Sequence, residues 1–176
     1  RTIDALKEEG VIFKGILYGG LMMNNNNPFV LEFNARFGDP ETQPILFKME
    51  SDILPILLAC VEGRLNAVPE IKWKDGISIC VVIASKGYPE KPEKGKIIKG
   101  LDDLRNRNDI MVFHAGTKQE GGSIYTSGGR VLGVTAIGDT YADAINKVYD
   151  ALSVINFEGM QYRKDIGRKA LNTARI

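Results

Sequence analysis

The sequence predicts an α+β chain in two parts: a β hairpin with helices, then a small, mainly antiparallel sheet covered by one helix. Three observations predict it. Short apolar or alternating runs bounded by Gly, Asn and Pro recur along the chain as strand candidates. One stretch, residues 140–155, repeats its apolar residues at helical spacing. The polar, proline-bearing segment RLNAVPEIKWKDG, residues 64–76, reads as a linker, so residues 1–66 and 67–176 are expected as separate domains.

The elements follow in order. Residues 2–9 read as the end of a helix, 11–18 (VIFKGILY) as a strand and 20–23 as another. NNNNP then forms a turn, because Asn tolerates left-handed backbone, and 29–37 returns as a strand. Asp39 can cap a helix with Pro40 at its first position, where a missing N–H is harmless. That helix runs through PILFKM, and another over 52–63 ends at Gly63. Beyond the linker, ISICVVIAS (77–85) is a nearly unbroken apolar, β-branched run, and KGYPEKPEKGK (86–96) is a loop rich in Gly and Pro. Strands are expected at 110–114, 123–126 and 130–137, with turns at Glu120-Gly121-Gly122 and Ser127-Gly128-Gly129. Thr140 then caps a helix whose Ile145, Val148, Tyr149, Leu152 and Ile155 form one apolar stripe to cover the sheet.

Composition excludes several classes. At 176 residues, 44% hydrophobic and 26% charged, the chain has room for one good core or two small ones. A formal net charge of +1 leaves no electrostatic footprint for nucleic acid or an anionic membrane, and neither is expected as a partner. No apolar run approaches the roughly 20 residues of a membrane span, and RTIDALKEEG reads as an amphipathic helix rather than a signal peptide. A cytoplasmic location is the expectation. Cys60 and Cys80 lie far apart inside apolar runs and are expected as buried free thiols without chemistry. His114, the single histidine, is expected to be structural.

The segment VLEFNARFGDPETQ, residues 30–43, carries the chemistry. In a strand alternate side chains share a face, so Leu31, Phe33, Ala35 and Phe37 point one way, toward a core, and Glu32, Asn34 and Arg36 the other. Spaced at roughly 6–7 Å per pair, a Glu and an Asn oxygen can grip one hard cation while Arg reaches the anion it carries. A solvated strand face with a Glu32–Arg36 salt bridge is the alternative, and the pattern leaves both open. Two later motifs divide the same way. Ser127-Gly128-Gly129-Arg130 suits either a phosphate-binding backbone nest beside a guanidinium or a tight hairpin turn, and Arg163-Lys164-Asp165 reads as a solvated, mutually paired run.

GILYGGLM, VLEFNARFGDPETQ, ASKGYP, FHAGT, SGGRVLGVTA and YRKDIG together resemble, in order, the glycinamide ribonucleotide synthetase (phosphoribosylamine-glycine ligase) family of the ATP-grasp superfamily. E-x-N-x-R alone would suit many ATP-grasp enzymes, biotin carboxylase among them. The resemblance implies that residues 1–66 are the final β hairpin and helices of an ATP-grasp domain and that 67–176 are the synthetase C-terminal domain. It implies ATP-dependent joining of glycine to 5-phosphoribosylamine through glycyl phosphate in purine biosynthesis. By position, Glu32 and Asn34 match ligands of Mg²⁺ or Mn²⁺ and Arg36 the catalytic arginine at the transferring phosphate. Asp39 and Arg130 match substrate-binding positions. ATP, glycine and 5-phosphoribosylamine are the implied partners, together with an N-terminal part of the same polypeptide, without which the chain is expected to be inactive. A different ATP-grasp ligase or carboxylase, or a non-catalytic module keeping the fold, are the competing readings.

Overall fold

The computed structural model describes residues 1–25 and 27–173. It separates into two compact units, Arg1–Asp39 with Met49–Trp73, and Pro40–Lys48 with Lys74–Ile176.

In chain order the first elements are α1 (Thr2–Glu8), β1 (Tyr18–Asn24), β2 (Asn27–Asn34), α2 (Thr42–Lys48) and α3 (Ile53–Glu62), of which α2 belongs to the second unit. β1 and β2 form an antiparallel hairpin, with Asn24 opposite Asn27 and Asn25 in left-handed backbone at φ 46°. The Asn turn expected there is thus present, while Asn26 lies outside the described residues. The strand expected over 11–18 does not form: residues 11–17 are irregular, and Tyr18 opens β1. β2 already pairs β1 in the two-stranded sheet, and among the described residues no strand pairs with 11–17. The segment is held instead by Val11 N–H to Leu6 O at 2.8 Å and Gly15 N–H to Cys60 Sγ at 3.3 Å. α3 is bounded as expected, since Asp52 accepts from Leu54 N–H at 2.9 Å and Gly63 turns left-handed at φ 75°.

Two features of the opening segment need correction. The helix expected from Pro40 begins later: residues 39–41 make a turn, and α2 begins at Thr42 with Pro44 in its first turn. Nor is the apolar face of β2 a core. Leu31 and Phe33 are 63% and 50% exposed, and Ala35 is exposed too. A two-stranded sheet has no second layer of its own, so alternation alone does not bury either face.

The second unit continues with β3 (Ile77–Ala84), β4 (Ile97–Ile98), β5 (Ile110–His114), β6 (Thr117–Glu120), β7 (Ser123–Thr126), β8 (Arg130–Gly138), α4 (Tyr141–Val154), β9 (Gln161–Tyr162) and α5 (Arg168–Thr173). The single sheet expected is two: β5-β8-β3-β9 and β4-β7-β6, all pairs antiparallel. β7 and β8 do not form a hairpin, because the SGG segment between them crosses from one sheet to the other. Ser127 N–H reaches Gly116 O at 2.7 Å, while the Gly128 and Gly129 carbonyls accept from the Ser85 hydroxyl and N–H at 2.9 and 2.8 Å.

α4 forms for the reasons read from its sequence. Thr140 Oγ1 accepts from Asp143 N–H at 3.1 Å, and Ile145, Val148 and Leu152 are buried against Val81, Ile83, Leu132 and Val134. The opposite face of the four-stranded sheet is partly covered by α2. A Cβ placed on Gly133 would lie 3.3 Å from Cys80 Sγ and 3.6 Å from Gln43 Cγ, so Gly133 makes room for that helix. Neither cysteine is in a disulfide among the described residues, and each is half-buried rather than fully buried as expected.

Candidate functional site

The first unit presents the predicted oxygen donors as the sequence suggested. Glu32 stands opposite Gly20 and Asn34 opposite Tyr18, so both side chains leave β2 on one face, two residues apart. A bulge sits beside them: Gly20 pairs Glu32 but Leu21 pairs Val30, leaving Leu31 as the extra residue. Gly19 and Gly20 form the bed beneath β2. A Cβ on Gly19 would lie 3.5 Å from the Phe33 ring, and one on Gly20 only 3.0 Å from Glu32 Cγ. The stem of Glu32 therefore lies across bare backbone and is positioned by the absence of a neighbour. Sequence reasoning passed over that pair, although Gly-Gly inside a strand is the signal that would have found it.

Arg36 stands outside the strand that sets this face. β2 ends at Asn34, Arg36 lies in the following bend, and its Nη1 donates to Phe37 O at 2.7 Å. No Glu32–Arg36 ion pair occurs among the described residues. Asp39 is exposed in the turn that follows. Among the described residues no three His, Cys, Asp or Glu side chains cluster as a metal cage. A carboxylate and an amide oxygen on one face still fit a hard divalent cation, since Mg²⁺ characteristically keeps several waters and takes its remaining ligands from phosphates.

In the second unit, the uncovered end of the face shared with α2 is a cavity of about 460 Å³. Its floor is the outward row of β3, including Val82 and Ala84, and Arg130, Gln161, Arg163 and Tyr88 stand around it. Register explains the grouping: Ala84 pairs Arg130 on one side and Gln161 on the other, which sets all three side chains on one face. The Tyr88 ring lies against Gly129, where a Cβ would lie 2.4 Å from it. Arg130 was named from the sequence as a substrate-binding candidate; Tyr88, Gln161 and Arg163 were not. The pairing read for Arg163 is present, with Nε and Nη2 bound to the two Asp165 oxygens at 2.9 and 2.6 Å. That fork raises the Arg163 pKa and lowers that of Asp165. His114 Nδ1 lies 3.0 Å from Thr117 Oγ1, a local contact in keeping with a structural role.

Known proteins match this chain along nearly its whole length. The family model described as "Phosphoribosylglycinamide synthetase, C domain" matches residues 78–169, and "Phosphoribosylglycinamide synthetase, ATP-grasp (A) domain" matches residues 1–42. The chain is 49% identical over 165 residues to a phosphoribosylamine–glycine ligase of Caldanaerobacter subterraneus, covering 94% of this chain and 39% of that protein. It is 47% identical over 179 residues to a bifunctional purine biosynthetic protein of Dictyostelium discoideum, covering 97% and 22%. The crystal structure of phosphoribosylamine–glycine ligase from Thermotoga maritima superposes with a TM-score of 0.79 at 34% identity over 93% of this chain and 40% of that one. A biotin carboxylase domain from Hydrogenobacter thermophilus shares the fold at a TM-score of 0.63 and 19% identity, covering 92% and 35%. The chain spans about two fifths, or less, of the length of these relatives. Among the described residues no helix is long and apolar enough to cross a membrane.

Proposed function

The chain belongs to the phosphoribosylglycinamide synthetase family, and on that premise we propose that it carries part of the active site of an ATP-dependent ligase joining glycine to 5-phosphoribosylamine. Residues 1–66 would close its ATP-grasp domain and 67–176 would form its C domain. The observation that carries the reading is the pair of oxygen donors, Glu32 and Asn34, set side by side over the Gly19-Gly20 bed in a chain with this family's pattern.

In the reaction, a glycine carboxylate oxygen attacks the γ-phosphorus of ATP, the bond to the β-phosphate oxygen breaks, and glycyl phosphate and ADP result. The amine of phosphoribosylamine then attacks the glycyl carbonyl, phosphate leaves and the amide is formed. A divalent cation, Mg²⁺ or Mn²⁺, supplies neutralisation of phosphate charge when bound. Glu32 and Asn34 are the groups that would hold it. Arg36 contributes a planar, always-charged donor set for the transferred phosphoryl group, once its hydrogen bond to the Phe37 carbonyl is exchanged for substrate. Asp39 and Arg130 are proposed to bind substrate, Arg130 toward the ribose phosphate. The 44–49% identities to proteins named as this ligase favour it over another ATP-grasp carboxylase. The likeness to biotin carboxylase speaks for fold alone.

Glycine-dependent ADP release by the complete enzyme tests the reading. Glu32→Gln keeps shape and removes the charge that attracts the cation, and Arg36→Lys removes the planar fork. Each is expected to lower turnover about a hundredfold, or roughly 3 kcal/mol, with melting temperature unchanged. Near-native turnover of both variants at limiting Mg²⁺ would leave residues 32–36 as an ordinary solvated strand end.

A further inference from the structure

Among the described residues the second unit has four sheet edges, and three are blunted by their own sequence. β9 and β4 are two residues long, and β6, TKQE, carries Lys118 and Glu120. β5 is different: it borders the four-stranded sheet as IMVFH, regular in register and without proline or an acidic or lysine guard, and Met111 is 44% exposed. Its ladder shows which backbone groups face outward. Asp109 O accepts from Ile137 N–H at 2.9 Å and Ala115 N–H donates to Val131 O at 3.0 Å, so the hydrogen-bonded pairs with β8 fall on the odd-numbered residues. The N–H and C=O of Val112 therefore point away from the sheet, and among the described residues they have no backbone partner. A cavity of about 500 Å³ opens along this edge. Phe47 of α2 and Lys74 line one flank, and Leu104, Arg105 and Arg107, from the segment before β5, line the other. No carboxylate lines it among the described residues. Lys74 Nζ stands 4.6 Å from the centre of the Phe47 ring. Arg105 bonds Asp102 at 2.9 Å in a pair exposed at 79% and 81%, which a competing carboxylate can replace. Arg107 is held by Asp109 through Nε and Nη2, which fixes the plane of its guanidinium and leaves Nη1 outside the fork.

We propose that this edge docks an extended acidic segment of a partner protein, which adds to β5 as a further strand. The main chain of the segment meets Val112 N–H and C=O, and because side chains of an added strand alternate between two faces, its carboxylates reach Lys74 on one flank and Arg105 and Arg107 on the other. Phe47 and Leu104 take the apolar stems between them. Charge selects the occupant: three cations line the cavity and no anion does. A second copy of this chain fits less well. Pairing antiparallel through its own β5, it would bring its His114 end beside these cations, and the nearest carboxylate in the following strand, Glu120, is already bonded to Lys118 at 2.8 Å. The site is independent of the ligase reading, since none of its residues belongs to the proposed catalytic or substrate-binding set.

Calorimetric titration of the complete enzyme with a blocked peptide of sequence VEEVEEV tests this. The peptide should bind saturably and more weakly as salt rises, and its lysine counterpart VKKVKKV should not bind. A VEEVEEV peptide with N-methylated central residues keeps every charge but cannot donate to the ladder, and it should lose most of the affinity. In the protein, Lys74→Glu should weaken binding roughly tenfold or more with the melting temperature unchanged. Val112→Pro removes the outward donor while leaving the β8 ladder intact and should weaken binding similarly. No binding of VEEVEEV by wild type, equal binding of the lysine or N-methylated peptide, or undiminished affinity of Lys74→Glu would each overturn the proposal. So would a concentration-dependent dimer of the complete enzyme that Val112→Pro abolishes, because the edge would then belong to a second copy.

Discussion

The two units hold their functional groups by different means. In the second, side chains from β3, β8 and α4 form one continuous core, with Val81, Ile83, Leu132, Val134, Val148 and Leu152 all essentially inaccessible to water. In the first, Ala59 is the one buried hydrophobic residue among those described, and the hairpin exposes Leu21, Met22, Met23, Phe29, Val30, Leu31 and Phe33. The donors of the first unit are thus aligned by backbone register over glycine, those of the second by a packed sheet beneath them. Register and burial are separable ways to place a side chain, and a substitution should reveal which one is in use.

The largest effect should come from the packed unit. Leu152→Ala removes a fully buried side chain from α4 and is expected to lower stability by about 2–5 kcal/mol in urea titration. A loss under about 1 kcal/mol would show that α4 is not the main cover of its sheet. Gly20→Ala sharpens the contrast from the other side, since its Cβ displaces the Glu32 stem without touching a core. Turnover of the complete enzyme should fall roughly tenfold or more while the melting temperature stays put. Unchanged turnover would mean that the glycine bed does not position Glu32. In this chain Phe33→Ala should be nearly silent, less than about 1 kcal/mol, because half the ring already faces solvent. A loss of the size expected for Leu152 would break the comparison outright.

The smallest effect is a pH dependence. Arg107 donates Nε and Nη2 to Asp109 at 2.7 and 2.8 Å, and that hydrogen bonding lowers the Asp109 pKa. Because the folded value lies below the unfolded value of about 3.9, the stabilisation is fully present above that pH and is lost as pH falls through the lower folded value. Asp109→Asn should therefore lower stability at neutral pH by less than about 1 kcal/mol and leave it unchanged below the folded value, so that the acid limb of the melting-temperature profile flattens. An unaltered limb would show that the pair is electrostatically idle.

Legibility followed the same division. β3, β8 and α4 were readable because their apolar runs, helical spacing and caps describe burial that the chain itself supplies, and α3 was readable by its caps, Asp52 and Gly63. The hairpin strands were readable as alternation, but their burial was not, since alternation records a face and not what covers it. β6, TKQE, and the two-residue β4 and β9 carry no hydrophobic period, and only their partners define them. Glu32, Asn34 and Arg130 were nameable from pattern and family. The break at Arg36 was not, because the strand ends before the motif does. Arg163 looked like a surface pair in sequence, and only the antiparallel register beside Ala84 shows that it borders a cavity.

The crossing between the two sheets has a consequence for anyone diversifying this protein. Gly116 and Gly128 meet backbone to backbone: a Cβ on Gly116 would fall 2.6 Å from both the Arg130 carbonyl oxygen and Gly128 Cα. No side chain can yield there, so a saturation library should return only the parent residue at position 116. Gly121, by contrast, has nothing within 4 Å and is constrained only by its φ of 54°, which Asn and Asp also adopt. Insertions, tags or circular-permutation ends belong at 121–122, and the junction at 116 and 128 should be copied unchanged into every variant.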